Sequence, residues 1–96
     1  MRVVYTDEAL SNLTEILVYI DANYPVITSA FRHRLRVFTA RIGAWPESAE
    51  EVAQRPGVRM VPLIRYPYRI FYRVGVDSVE ILHVHHSARS EPSNVT

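Results

Sequence analysis

The histidines and several arginines of this chain are the residue types that could perform acid–base or phosphate chemistry. Three of the four histidines stand close together near the C-terminal end: His83, His85 and His86. Cleavage of RNA without a metal needs a general base, a general acid and cations around the phosphate. Arg69, Arg89 and one of the three histidines could supply these groups. The alternative is that Arg69 pairs with Glu80 across a sheet and that the histidines only border this pair.

A metal site is a second possibility for the same histidines. His83 and His85 are two residues apart, so on a β-strand they would share a face at a separation of about 7 Å. The sequence offers no second cluster of ligands and contains no cysteine. It also contains no glycine-rich phosphate loop and no HExxH pattern. We therefore expect neither a metal nor a cofactor.

Length and composition predict one small domain. The chain has 96 residues, of which 48% are hydrophobic, and this content is too high for a disordered chain. We expect the domain to occupy 1–96, with its core at about 2–90 and a short tail at 91–96. No run of about 18 apolar residues is present, so we expect no membrane segment and a cytoplasmic location.

The charges are unevenly distributed although they nearly cancel. The formal net charge is +1, which does not suggest strong nonspecific binding to nucleic acid. All eleven basic residues are arginine, and residues 25–45 hold four of them without an acidic residue. Arginine presents a planar fork that suits carboxylate or phosphate, so an anionic partner is one interpretation. A merely solvated basic face is the other.

The pattern of the chain predicts two helices and four strands. Val3–Tyr5 is prone to form a strand, and Thr6 can cap a helix that ends near Ala22. Pro25 suits the first turn of a second helix, whose apolar stripe extends from Ile27 to Trp45. After a loop at 46–57, three β-prone runs follow: Val58–Leu63, Tyr68–Val74 and Val79–His85. The order β-α-α-β-β-β predicts an α+β fold in which a helical hairpin packs on one face of an antiparallel sheet.

Strand alternation indicates which side chains would lie on the uncovered face. In the middle run, Arg69, Phe71 and Arg73 point away from Tyr68, Ile70, Tyr72 and Val74. In the last run, strict alternation groups Val79, Ile81, His83 and His85 against Glu80, Leu82, Val84 and His86. Because the helices can cover only one face, the opposite face must carry arginine and histidine side chains. That open face is the candidate site.

Several motifs in order resemble one family of bacterial proteins. They are the opening helix, Gly57-Val58-Arg59, Tyr68-Arg69-Ile70-Phe71-Tyr72-Arg73-Val74, Asp77-Ser78-Val79-Glu80-Ile81-Leu82 and His86-Ser87-Ala88-Arg89. This set, over roughly 2–90, resembles the ParE branch of the ParE/RelE toxin superfamily. Ser87 stands where the family often has glycine.

The resemblance implies a type II toxin that a cognate antitoxin neutralises by direct binding. ParE-like toxins typically poison DNA gyrase without catalytic residues of their own, whereas RelE-like relatives cut mRNA on the ribosome. The chain has no lysine, and its tail after Arg89 has neither tyrosine nor histidine, which favours gyrase as the target. The nuclease alternative stays open, with Arg69, His85, His86 and Arg89 as its residues. A third interpretation is a non-toxic protein that serves as an antitoxin partner and co-repressor.

The resemblance also implies the partners. The antitoxin is expected to be ParD-like, a ribbon-helix-helix DNA binder with a flexible acidic segment, so that operator DNA is contacted only through the complex. We predict its contacts at five arginines: Arg32, Arg36, Arg59, Arg69 and Arg73. We predict the target contacts at His86 and Arg89.

Overall fold

The structure of the chain, a computed structural model, describes residues 1–88. Arg89, a predicted target contact, and the predicted tail at 91–96 lie outside the described residues. The elements in chain order are β1 (Arg2–Tyr5), α1 (Asp7–Asn23), a 3-10 turn (Pro25–Ile27), α2 (Thr28–Ala44), β2 (Val58–Pro62), β3 (Tyr68–Val74) and β4 (Ser78–His86). This order confirms the predicted β-α-α-β-β-β arrangement.

The strands within residues 1–88 form one sheet in the order β1-β4-β3-β2. Strand β3 pairs antiparallel with both β2 and β4, as the short connections between these strands predict. Strand β1 pairs parallel with β4, so the sheet is mixed rather than wholly antiparallel. The difference has a topological cause, because both helices lie between β1 and the other strands in the sequence and no tight turn fixes its direction.

Helix α1 begins where the sequence predicts, and its first turn is attached to the sheet. The Thr6 hydroxyl oxygen accepts a hydrogen bond from the Ala9 backbone N–H at 3.1 Å, which is the N-cap interaction. The same hydroxyl lies 3.0 Å from the Ile81 carbonyl oxygen, to which it donates. Asp7 and Glu8 lie in the first turn, where the helix dipole favours negative charge. Thr6 therefore fixes the start of α1 against β4.

The main core lies between the two helices and one face of the sheet. Its helical members include Ile20 of α1 and Phe31 of α2, and its strand members include Ile70 and Ile81. Trp45, predicted at the end of the apolar stripe, is instead 66% exposed. Helix α2 ends at Ala44, and the non-helical backbone of Trp45 (φ −135°, ψ 73°) takes this residue out of the helical periodicity.

A β-bulge in β4 changes the predicted assignment of side chains to the two faces. Phe71 of β3 pairs with His83, whereas the next residue, Tyr72, pairs with Ile81, so Leu82 is the extra residue. Because directly paired residues share a face, Val84 and His86 join the helix-covered face. The predicted grouping of Val84 and His86 with Glu80 and Leu82 is therefore wrong.

The face of the sheet opposite the helices carries a second, smaller apolar cluster. It consists of Val58, Phe71 and Leu82, with Val52 and Met60 packed against it. Val52 belongs to the segment between α2 and β2, and Glu51 of that segment forms an isolated bridge with Arg59 of β2. Neither of the two clusters in the described part of the chain places a helical residue on this face. The predicted one-sided helical layer is confirmed.

No helix within residues 1–88 combines the length and apolar character that crossing a bilayer requires.

Gly43 of α2 is a position where the fold requires the smallest residue. A Cβ built there would lie 2.8 Å from the Met1 carbonyl oxygen and 3.1 Å from Val3 Cγ2. We predict that Gly43→Ala lowers the free energy of unfolding by about 1 to 3 kcal/mol, because backbone must shift to admit the methyl group. Urea denaturation measures this change. A gain of about 1 kcal/mol, the ordinary effect of replacing glycine by alanine inside a helix, would contradict the close approach.

Candidate functional site

The open face of the sheet brings Arg69 and His85 together. They are direct partners in the β3–β4 register. The Arg69 guanidinium donates to the Ser87 carbonyl oxygen at 3.2 Å, and its central carbon lies 5.9 Å from the centre of the Phe71 ring. The His85 and Phe71 rings meet edge to face with centroids 6.5 Å apart. The Phe71 ring thus packs against both the Arg69 guanidinium and the His85 imidazole.

Arg73 and Glu80 form the cross-strand ion pair of this face. The Arg73 Nη2 to Glu80 Oε1 distance is 3.0 Å, and the side chains are 43% and 39% exposed. The alternative pairing of Arg69 with Glu80 is wrong, because Arg69 lies opposite His85 in the register. An ion pair this exposed contributes little to stability. Its main effect is therefore to orient the two side chains on the open face.

His83 is the buried polar residue of the same strand, with 6% exposure. Burial lowers the pKa of its imidazole; the Glu8 carboxylate opposes this shift, and His85 adds to it. His83 is therefore neutral near pH 7, and it lies opposite the apolar ring of Phe71. This environment is that of a structural histidine.

Arg59 holds the segment between α2 and β2 in place. Its guanidinium donates to the carbonyl oxygens of Ala49 and Glu47, at 2.5 Å and 3.1 Å. The Tyr72 hydroxyl donates to the Pro46 carbonyl oxygen at 2.6 Å, from the sheet into the same segment. Burial raises the pKa of Tyr72, partly offset by the charge of Arg59. Arg59 and Tyr72 are thus the braces of one loop, a role that the sequence pattern did not reveal.

Helix α2 presents a basic outer surface. Arg32 and Arg36 are exposed and one helical turn apart, and neither has an ion-pair partner within residues 1–88. The guanidinium carbons of Arg34 and Arg41 lie 5.7 Å and 4.9 Å from the centre of the Phe38 ring. These two cations are held by an aromatic residue of the core, whereas Arg32 and Arg36 are available to a partner.

His86 lies apart from Arg69 and His85. It pairs with Tyr68 in the register, which places it on the helix side of the sheet, and the two rings meet with centroids 5.4 Å apart. Its Nδ1 accepts a hydrogen bond from the Ala88 backbone N–H at 3.1 Å. Of the three described residues of the nuclease hypothesis, Arg69 and His85 are thus brought together, whereas His86 faces the other side of the sheet.

Within residues 1–88, no three side chains of histidine, aspartate or glutamate gather in a way that could hold a metal ion. His83 and His85 do share the open face, as their spacing predicted, and His83 is buried against Phe71 there.

A family model matches nearly the whole chain. Residues 3–91 match the model described as the ParE toxin of the type II toxin-antitoxin system parDE. The chain belongs to the ParE toxin family. No curated protein shows significant sequence similarity to it.

A solved structure supports the fold of this ParE family member independently. The chain is similar to a chain of the chromosomal ParDE toxin-antitoxin system from P. aeruginosa, with a TM-score of 0.76 and 20% identity. The match covers 90% of this chain and 95% of that one. Both chains therefore share the arrangement of two helices on one four-stranded mixed sheet.

The burial of His83 makes the free energy of unfolding fall as the pH falls. As pH falls below about 6.5, the unfolded chain takes up a proton at this position before the folded one does, so stability is lost. We predict that His83→Gln reduces the loss of unfolding free energy between about pH 7.5 and pH 5. Urea denaturation at both pH values measures the difference. His33→Gln, which removes an exposed imidazole of α2, is the control and keeps the wild-type loss. An unchanged loss in His83→Gln would contradict the assignment.

The loop brace gives a second prediction. Tyr72→Phe removes the hydrogen bond to the Pro46 carbonyl and should lower the free energy of unfolding by about 0.5 to 1.5 kcal/mol. Tyr24→Phe removes a hydroxyl from a tyrosine that is 54% exposed and should have an effect below about 0.5 kcal/mol. If Tyr72→Phe lowers the free energy of unfolding no more than Tyr24→Phe does, the hydrogen bond to Pro46 does not stabilise the fold.

Proposed function

We propose that this ParE-family toxin stalls bacterial DNA gyrase in the cytoplasm and is neutralised by direct binding of a ParD-like antitoxin. The observation that carries the proposal is the family match over residues 3–91. In this proposal the chain acts by binding, with neither catalytic residues nor a cofactor of its own. Operator DNA is contacted only through the DNA-binding part of the antitoxin.

The outer surface of α2 supports the antitoxin contact. Arg32 and Arg36 are exposed cations on a helix that contains no acidic residue. An acidic antitoxin segment would gain charge-assisted hydrogen bonds there and would associate faster at low salt. These two arginines are the strongest of the five predicted antitoxin contacts.

The other three predicted antitoxin contacts already have intramolecular roles. Arg59 braces the loop, Arg73 pairs with Glu80, and Arg69 donates to the Ser87 carbonyl. Arg69 and Arg73 can still bind a partner by exchanging these bonds, at a lower net gain. Charge reversal of Arg59 would disturb the loop as well as the complex, so it is a poor probe of binding.

The proposed target contact remains at His86 and Arg89. His86 lies near the end of β4, and Arg89 follows it by three residues. Their sequence proximity makes a contiguous contact with gyrase plausible on chemical grounds, since a histidine and an arginine can both donate to acidic or carbonyl groups.

A ribosome-dependent mRNA endonuclease is the second candidate. The observation that favours it is the direct pairing of Arg69 with His85 on the open face, which places a cation beside an imidazole. Primer extension on translated mRNA would show discrete toxin-dependent cuts if this candidate is correct. A non-toxic co-repressor would instead cause no growth arrest when expressed without its antitoxin.

The gyrase assignment predicts a defined biochemical result. The purified toxin should inhibit supercoiling by gyrase and increase the amount of linear, cleaved DNA trapped with the enzyme. An agarose-gel assay with relaxed plasmid, ATP and purified gyrase measures both effects, and addition of the antitoxin should reverse them. Unaltered supercoiling at excess toxin, together with growth arrest in cells, would reject gyrase as the target.

The basic surface of α2 predicts a charge-dependent complex. The double variant Arg32→Glu/Arg36→Glu should weaken antitoxin binding about tenfold or more and reduce the dependence of the association rate on salt. Arg2→Glu, at an exposed arginine of the edge strand β1, is the control for charge reversal away from α2 and is compared with the single variant Arg32→Glu, which changes the net charge equally. Surface plasmon resonance at two salt concentrations measures both quantities. Equal affinities of the double variant and wild type would exclude these two arginines from the interface.

A further inference from the structure

One flank of β4 has no strand beside it over part of its length. Strand β1 pairs with β4 only as far as Tyr5 opposite Ile81, and β4 continues to His86. From Leu82 onward, the side of β4 that faces away from β3 has no strand neighbour within residues 1–88. An unpaired strand flank is a template for another extended chain.

The directions of the backbone groups on this flank follow from two hydrogen bonds. The Val84 N–H donates to the Asn12 Oδ1 of α1, away from β3. The Ser87 N–H donates to the Pro67 carbonyl oxygen at 2.7 Å, toward β3. Because backbone groups alternate along a strand, the N–H and C=O of His86 point to the same side as the N–H of Val84. They face α1 rather than the sheet.

A groove lies along this flank, between α1 and the last residues of β4. Its larger section has a volume of about 480 Å³, with walls that include Glu15, Ile16 and Val84. A smaller section of about 230 Å³ leads past Tyr66 to Ile27. Three residues line both sections: Tyr19, Tyr68 and His86. We call this feature the β4 groove.

We propose that the β4 groove receives an extended segment of the antitoxin, which adds to the sheet alongside β4 and pairs with the backbone of His86. The proposal rests on the proposed function for the identity of the partner. The mode of binding is β-strand addition, in which main-chain hydrogen bonds give affinity and side-chain pockets give specificity.

The groove selects the chemistry of this segment. Its aromatic walls at Tyr19 and Tyr68 accept an apolar side chain. Glu15 supplies an acceptor, and His86 supplies a donor at Nε2 because its Nδ1 already accepts from the Ala88 N–H. Helix α1 stands beside the flank. The sheet edge of a second folded copy would collide with this helix, whereas a single extended chain needs less room.

Charge indicates where the segment continues. The smaller section of the groove ends at Ile27, just before α2. Phe31 of α2 packs edge to face on both Tyr66 and Tyr68, and the exposed Arg32 follows it directly. An antitoxin segment with apolar residues inside the β4 groove and acidic residues just beyond its Ile27 end would therefore reach Arg32 and Arg36. The same segment would cover His86, the proposed target contact, which gives neutralisation a direct cause.

A pair of variants isolates the backbone contact. His86→Val removes the imidazole ring and keeps the backbone N–H, whereas His86→Pro removes both. The N–H that proline lacks points away from β3, so His86→Pro leaves the hydrogen bonds between β3 and β4 intact. Binding of the antitoxin chain encoded with this toxin, measured by calorimetry, should be about five- to tenfold weaker for His86→Pro than for His86→Val. Equal affinities of the two folded variants would overturn the proposal.

Hydrogen exchange tests the same contact without substitution. In the complex of the full chain with that antitoxin, the His86 amide should exchange at least about tenfold more slowly than in the free toxin. The amide of Val76, a residue with 100% exposure in the turn before β4, is the control and should exchange at the same rate in both. An unprotected His86 amide in a stable complex would overturn the proposed binding of the antitoxin in the β4 groove. It would leave the assignment of the chain as a toxin intact. Growth arrest by the toxin alone, scored separately, tests that assignment.

Discussion

The bulge at Leu82 is the constraint on which the distribution of functional groups depends. One extra residue in β4 changes the face on which every later side chain of that strand lies. It turns Val84 toward the core and His86 toward the helices, and it leaves Leu82 to complete the small apolar cluster on the open face. Without it, the histidines and the core valine would exchange sides.

The helices add a second constraint by covering only one face. Thr6 joins the first turn of α1 to the carbonyl of Ile81, immediately before the bulge, and Asn12 accepts a hydrogen bond from the N–H of Val84, two residues after it. Helix α1 thus follows β4 past the end of β1 and forms the wall of the β4 groove. The open face keeps the Arg69–His85 pair, while the outer surface of α2 keeps its two exposed arginines. This ParE-family toxin thereby has several separate surfaces on a small domain.

The sequence predicts the elements well because their signals are local. Thr6 caps the helix that its own type and position indicate, and the apolar spacing of α1 and α2 identifies their buried sides. The parallel pairing of β1 could not be predicted in this way, because it depends on a crossover of two helices. The exposure of Trp45 depends on where α2 ends, one residue earlier than the apolar stripe suggests.

The site was harder to predict than the fold. Strict alternation along β4 has no means of detecting Leu82 as an extra residue, so it misassigned Val84 and His86. The suggested pairing of Glu80 with Arg69 was also wrong, because the turn between β3 and β4 sets the register at that end of the hairpin and places Glu80 opposite Arg73. The loop-bracing role of Arg59 depends on carbonyl groups, which every residue has, and carries no sequence signal.

The placement of the bulge can be tested by proton NMR of the folded toxin. The account predicts nuclear Overhauser contacts between the His86 and Tyr68 rings, whose centroids lie 5.4 Å apart, and between the backbones of Val84 and Ile70. A strand that continued from Ile81 without a bulge would instead bring His85 opposite Tyr68 and Val84 opposite Arg69. Observation of those contacts would contradict the account.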